Sequence, residues 1–166
     1  MDFTAKELAD AGFQGFSTIA ELRCNECCHV PEESGIYVVI MPETTAVSFL
    51  EVSPGGHFKR RDPTVDRHEL EQRRIPDAPV VYIGRASKTK KTNLRRRLRE
   101  FLAFGQGRPV GHWGGRLTWQ IAGHDKLLVA WRQCCDFRKA EADLLDDFES
   151  RFERLPFANL RREHGD

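Results

Sequence analysis

Two helical stretches, one in the middle of the chain and one near its end, each carry a single charged side chain inside an otherwise apolar stripe. On a wheel of about 100° per residue, residues 93–104 gather Leu94, Leu98, Phe101 and Phe104 on one face and leave Arg95, Arg96 and Arg99 outside it. Arg97 falls inside, three after Leu94 and four before Phe101, spacings that put side chains on the same face. A guanidinium cannot shed its charge by losing a proton, so it must reach water or meet an anion. Residues 137–154 repeat the pattern with opposite sign. Leu144, Leu145, Phe148 and Phe152 form the stripe, Asp143, Asp146 and Asp147 lie opposite, and Glu141 sits within the stripe. A carboxylate near a core is costly unless a cation or a hydrogen-bond network receives it. Arg97 and Glu141 could pair with each other, or Glu141 could escape to water from the first helical turn; otherwise each needs a ligand.

The other elements follow from periodicity and punctuation. Residues 4–11 and 17–22 read as short helices, and residues 23–34 as a loop ending at Pro31 and Gly35. Residues 36–41, rich in β-branched side chains, read as a buried strand, and residues 46–52 as a second one. A polar stretch with Pro54, Gly55, Gly56 and Pro63 follows and reads as a surface insertion, with a short helix near residues 65–73. Residues 80–84 form a strand that stops at glycine, and Thr92 or Asn93 caps the Arg97 helix. Strands at 116–121 and 127–133, joined by a turn, precede the Glu141 helix. The expected architecture is α+β: a small, mainly antiparallel central sheet flanked by helices, with an insertion of about 42–78 between its first two core strands. Residues 1–34 would be an N-terminal helical extension and loop, 35–160 the main domain and 161–166 a tail. At 166 residues, one core is expected.

Net charge is only +1, but the charges are segregated. Residues 85–99 hold Arg85, Lys88, Lys90, Lys91, Arg95, Arg96, Arg97 and Arg99 and no acid, whereas residues 143–153 hold five acids against one base. A solvated basic helix would show this, and so would a face that meets a polyphosphate. No apolar run approaches the roughly 20 residues of a membrane span, and the acidic first ten residues do not resemble a secretory signal. Five cysteines, in the segments Cys24–Cys27–Cys28 and Cys134–Cys135, make a poor disulfide framework, so reduced thiols and a cytoplasmic protein are expected. One CxxC followed by His29 falls short of the paired spacing of a zinc site, and structural zinc is disfavoured.

Gly35-Ile36-Tyr37 opens one strand and Tyr82-Ile83-Gly84 closes another. Asn93-Leu94 and Arg97-Leu98 follow, then Glu141 with Leu144-Leu145, then Pro156 and Asn159. In this order the elements resemble the GIY-YIG endonucleases, and they include the two residues the helical wheels had isolated. The resemblance implies metal-dependent hydrolysis of phosphodiester bonds in DNA. Glu141 would hold Mg²⁺ or Mn²⁺, a hard cation that needs few protein ligands. Arg97 would grip the scissile phosphate. Tyr37 would deprotonate or orient the attacking water, which requires a nearby cation because a phenol is a weak base at neutral pH. Tyr82 would support the phosphate or water, and Gly35, Gly84 and Asn159 would be structural. Lys88, Lys90, Lys91, Arg95, Arg99 and Arg116 are expected to meet nucleic-acid phosphates. Tyr37, Tyr82, Arg97 and Glu141 should converge on one concave surface.

Two departures qualify the resemblance. The tripeptides are 44 residues apart where the family has a tight turn, and Phe101 stands where the family often places a His or Tyr. The loop Gly111-His112-Trp113-Gly114-Gly115-Arg116 is the expected replacement, with His112 as a proton carrier and Trp113 able to stack on a base. Otherwise the chemistry would run through metal-bound water, or the protein would be slow or a non-catalytic nucleic-acid-binding module. A nuclease directed at RNA, or a toxin, is not separable from a DNA nuclease at this level.

Overall fold

A strand buried on both faces belongs inside a sheet, and Gly35–Ile40 (β2) is buried along its whole length. In the computed structural model, which describes residues 1–42 and 46–161, β2 pairs antiparallel with Val80–Ala86 (β3) on one side and Leu128–Gln133 (β4) on the other. Gln14–Thr18 (β1) adds to the far side of β4, giving an antiparallel sheet of order β1-β4-β2-β3. The fold is therefore α+β, with helices on both faces of the sheet.

Alternation along the strands divides the core in two. Tyr37, Val39, Tyr82, Val129 and Trp131 pack with Ile19–Cys24 (α2), Leu94–Gly105 (α4) and the 3₁₀ segment Trp113–Gln120. Ile36, Val38, Ile40, Ile83 and Ala130 pack on the opposite face with Ala5–Asp10 (α1) and the final helix, Phe137–Phe152 (α5). Thr4 and Thr18 close capping boxes with Glu7 and Glu21. Asn93 caps α4 by accepting from the Arg96 amide.

Several expectations need correction. β1 takes Ser17 and Thr18, expected to begin a helix, and three residues before them that carried no expectation; its bulged, half-exposed Gln14–Thr18 has no apolar alternation to announce it. Thus the N-terminal segment supplies a strand as well as helices, and Phe3, Leu8 and Phe13 join the same core as Phe148. β3 does not stop at Gly84 but runs on to Ala86. Residues 46–52 form no strand; Phe49 makes one isolated bridge, to Ile121. Residues 116–121 are not a strand either, because they belong mainly to the 3₁₀ segment. Their apolar-polar alternation misleads because the polar positions are buried too: Gln120 bonds to the Val65 amide and to the carbonyls of Leu50 and Val65.

Those bonds also change the standing of the insertion. A Cβ on Gly56 would lie 1.9 Å from the Arg108 carbonyl oxygen, and the Gly56 amide donates to Phe104 O, so this stretch is bolted to the end of α4. Its helix, Arg67–Arg73 (α3), buries Leu70. Residues 43–45 of the insertion and 162–166 of the tail lie outside the described residues.

Candidate active site

The two tripeptides meet across the β2–β3 ladder, where Tyr37 is the direct partner of Gly84. The Tyr37 ring lies over that glycine, and a Cβ there would come within 2.5 Å of Tyr37 Cζ. Gly35 is equally enclosed, its missing Cβ 2.3 Å from the Arg132 carbonyl oxygen and 2.7 Å from a Leu94 methyl. Both glycines are thus demanded by space rather than by backbone angle.

Tyr37 is fully buried, and its hydroxyl stands 2.9 Å from Nε2 of His112, also fully buried. Tyr82, Phe101 and His112 pack around it, with Phe101 stacked on Tyr82 and its ring centroid 4.9 Å from His112. The aromatic ring at position 101 therefore lies beside the imidazole that the 111–116 loop brings in. Burial, and then the charge of Arg97, push the His112 pKa well below its usual value, so the ring is neutral. Its Nδ1 is buried without a hydrogen-bond partner among the described residues.

Arg97 projects from α4 toward this cluster. Its Nη1 donates to Gly111 O at 3.0 Å and lies 3.4 Å from Glu100 Oε2. Burial opposes its charge, but Tyr37, Tyr82 and Glu100 together more than offset that, and its proton is held more tightly than usual.

Glu141 lies elsewhere. α5 packs on the opposite face of the sheet from α4, and Glu141 does not pair with Arg97. Its Oε2 accepts from Arg85 Nη1 at 2.5 Å, and the carboxylate is nearly enclosed. It does share a cavity of about 480 Å³ with Tyr82, Trp113, Gly114, Arg116, Arg61 and Asn159. This cavity lies beside edge strand β3, and Tyr82 belongs to both halves of the site, facing Arg97 on one side and the cavity on the other. Asn159 fixes β3 there, its amide bonding both N–H and C=O of Ile83 at 2.9 Å.

No group of three or more His, Cys, Asp or Glu among the described residues is placed to hold a metal. Glu141 is the carboxylate on this cavity's wall, the kind of ligand Mg²⁺ or Mn²⁺ takes; one of its oxygens is already engaged by Arg85, and Arg61, Arg116 and Arg161 stand on the same wall. Cys27 is buried, its thiol pushed up to about 11 by desolvation, while Cys24, Cys28 and Cys135 are exposed.

Compared with protein-family models, with curated proteins and with solved structures, the chain matches none.

The basic run is partly engaged within the protein. Arg95 bonds to the carbonyls of Val30 and Cys28 and to Glu32, and Arg99 bonds to the Glu26 carbonyl, so both clasp the loop before β2. Lys88 pairs with Glu33, whereas Lys90 and Lys91 are exposed. Arg85 was not picked out as a partner for α5, although strand alternation places Ile83 and Arg85 on the same face. Arg61 left no such signal, for only the folded insertion brings it near residues 113–116. No helix among the described residues is long and apolar enough to cross a membrane.

Proposed function

We propose that the protein is a metal-dependent endonuclease that hydrolyses phosphodiester bonds in DNA. The observation that carries this reading is the Tyr37–His112 hydrogen bond within electrostatic reach of Arg97. Hydrolysis needs a water stripped of a proton and a cation for the charge gathering on the phosphoryl oxygens. Arg97 supplies the cation. Tyr37 Oη would take a proton from the attacking water while His112 Nε2 takes the phenol proton; the hydroxide attacks phosphorus, the P–O bond to the leaving oxygen breaks, that oxygen takes a proton from solvent, and His112 returns its proton to solvent as product leaves. Burial, and then Arg97, oppose charge on His112, and a phosphate bound at the guanidinium would lift only the second of these. Mg²⁺ or Mn²⁺ at Glu141 would add positive charge for the phosphoryl and leaving oxygens.

A second reading, a non-catalytic nucleic-acid-binding module, is favoured by the burial of Tyr37 and His112 and by Phe101. Incubating plasmid DNA and structured RNA with the protein in Mg²⁺, Mn²⁺ or chelator separates the readings. Metal-dependent cutting of DNA that is lost in Arg97→Ala and Tyr37→Phe supports the nuclease. Binding without cutting in every metal supports the module, and cutting confined to RNA moves the substrate to that polymer.

A further inference from the structure

Trp113 carries two guanidinium groups that have no acid of their own. The Arg116 carbon Cζ stands 4.4 Å from the indole centroid and that of Arg61 5.2 Å. Arg116 also donates to the Trp113 carbonyl, and neither arginine has an ion-pair partner among the described residues. Trp113 is therefore covered by cations and is not a free platform for a base. Both arginines line the Glu141 cavity.

Arg61 reaches this place on a turn built at some cost. Lys59 and Arg60 both adopt positive φ, 51° and 63°, and the Arg61 amide donates to Phe58 O at 3.0 Å. Such turns favour Asn and Gly, yet here the tip is entirely basic. A Cβ on Gly111 would lie 3.8 Å from the Phe58 ring, so the turn rests against the loop that carries His112 and Trp113. The charge of half-buried Arg116 is disfavoured by its burial and then by the charges of Arg61 and Arg73, which together outweigh the opposing charge of Glu69. Arg73 is itself engaged, bonding to the carbonyls of Phe157 and Asn159. Two cations that repel each other on a cavity wall, neither in ion-pair contact with a carboxylate among the described residues although Glu69 and Glu141 lie near, form a preorganised anion site.

We infer that the wall formed by Arg61, Trp113 and Arg116 binds a backbone phosphate of the nucleic-acid strand beside the one that is cut; this rests on the nuclease reading. The insertion between the tripeptides thereby becomes part of the substrate groove, and Trp113 is a positioning residue that holds the two guanidiniums.

The test is equilibrium binding of a short labelled DNA duplex in chelator, followed by anisotropy across a salt series, with melting temperatures measured alongside. Arg61→Gln and Arg116→Gln should each weaken binding several-fold and reduce the slope of log K against log salt by about 0.9. Their melting temperatures should hold or rise, because repulsion is relieved. Trp113→Leu, which keeps both charges, should weaken binding while leaving most of the slope. Unchanged affinity and slope in both arginine variants would overturn the inference and leave the nuclease reading standing. So would a lowered melting temperature with unchanged binding, which marks a purely structural role. If the wild-type protein binds no duplex, pyrophosphate decides separately: stabilisation lost in both arginine variants keeps the anion site while the nuclease reading fails, and no stabilisation overturns both.

Discussion

Glu141 is paired with Arg85 across the α5–β3 contact, and Arg97 takes no part in that pair. Glu141→Gln keeps an oxygen for Arg85 and should abolish cleavage at a stability cost of about 1–2 kcal/mol, the scale of a weakened charged hydrogen bond. Arg85→Gln leaves an enclosed carboxylate without that guanidinium and should cost more, roughly 2–4 kcal/mol given the partial exposure of the pair. Mn²⁺ should then raise the melting temperature of Arg85→Gln more than that of the wild type, because the ion replaces the lost cation. A Glu141→Gln protein that cuts DNA at the wild-type rate would remove Glu141 from the chemistry.

His112 makes stability depend on pH. Its folded-state pKa lies well below the roughly 6.5 of an unfolded histidine. In the interval between the two values the unfolded chain binds a proton that the native protein refuses. Stability therefore falls as pH drops below about 6.5, by up to about 1.4 kcal/mol per pH unit, and the loss ends only below the folded-state value. Denaturant titrations of wild type and His112→Gln between neutral and mildly acidic pH check this: the variant should be the flatter of the two.

Gly84→Ala should be damaging although Gly84 has no unusual backbone angle. The new methyl would meet Tyr37 Cζ at 2.5 Å and Oη at 2.6 Å, inside a strand pair that cannot separate. Overpacking of this kind costs about 1–3 kcal/mol, and it displaces the hydroxyl from His112. We expect a lower melting temperature together with a loss of cleavage larger than the loss of DNA affinity.

The lysines and arginines of the basic run should separate by phenotype. Arg95→Ala removes bonds to Val30 O, Cys28 O and Glu32 and should cost about 1–3 kcal/mol, seen in thermal melts. Lys90→Ala and Lys91→Ala should leave the melt unchanged and weaken binding of unrelated duplexes alike, since phosphate contacts carry no sequence. Equal loss of stability in the lysine variants would contradict this division.

The residues most legible in the sequence were those whose local pattern conflicts with their chemistry. Arg97 and Glu141 stood out because a charge within an apolar stripe needs a partner, and the helices that carry them were found close to their expected bounds. What could not be read was the identity of the partners: Arg85 for Glu141, and Gly111 O with Glu100 for Arg97. These depend on how elements distant in sequence stack around the sheet. The strand expected at 116–121 failed for a related reason, because Gln120 finds its hydrogen bonds in the insertion and so carries no signal of facing water. β1 was missed because a bulged strand at a sheet edge has no alternation to report.

The short tail after α5 does more than hold the site. The Ala158 amide donates to Val81 O, and the Asn159 side chain occupies both backbone groups of Ile83, so successive outward-facing positions of edge strand β3 are capped by residues that cannot propagate a ladder. An uncapped strand of this kind, apolar and seven residues long, is a template for the same strand of another molecule. A chain ending before residue 157 would expose that template, and its characteristic failure would be self-association into sheet-linked oligomers, detectable by light scattering.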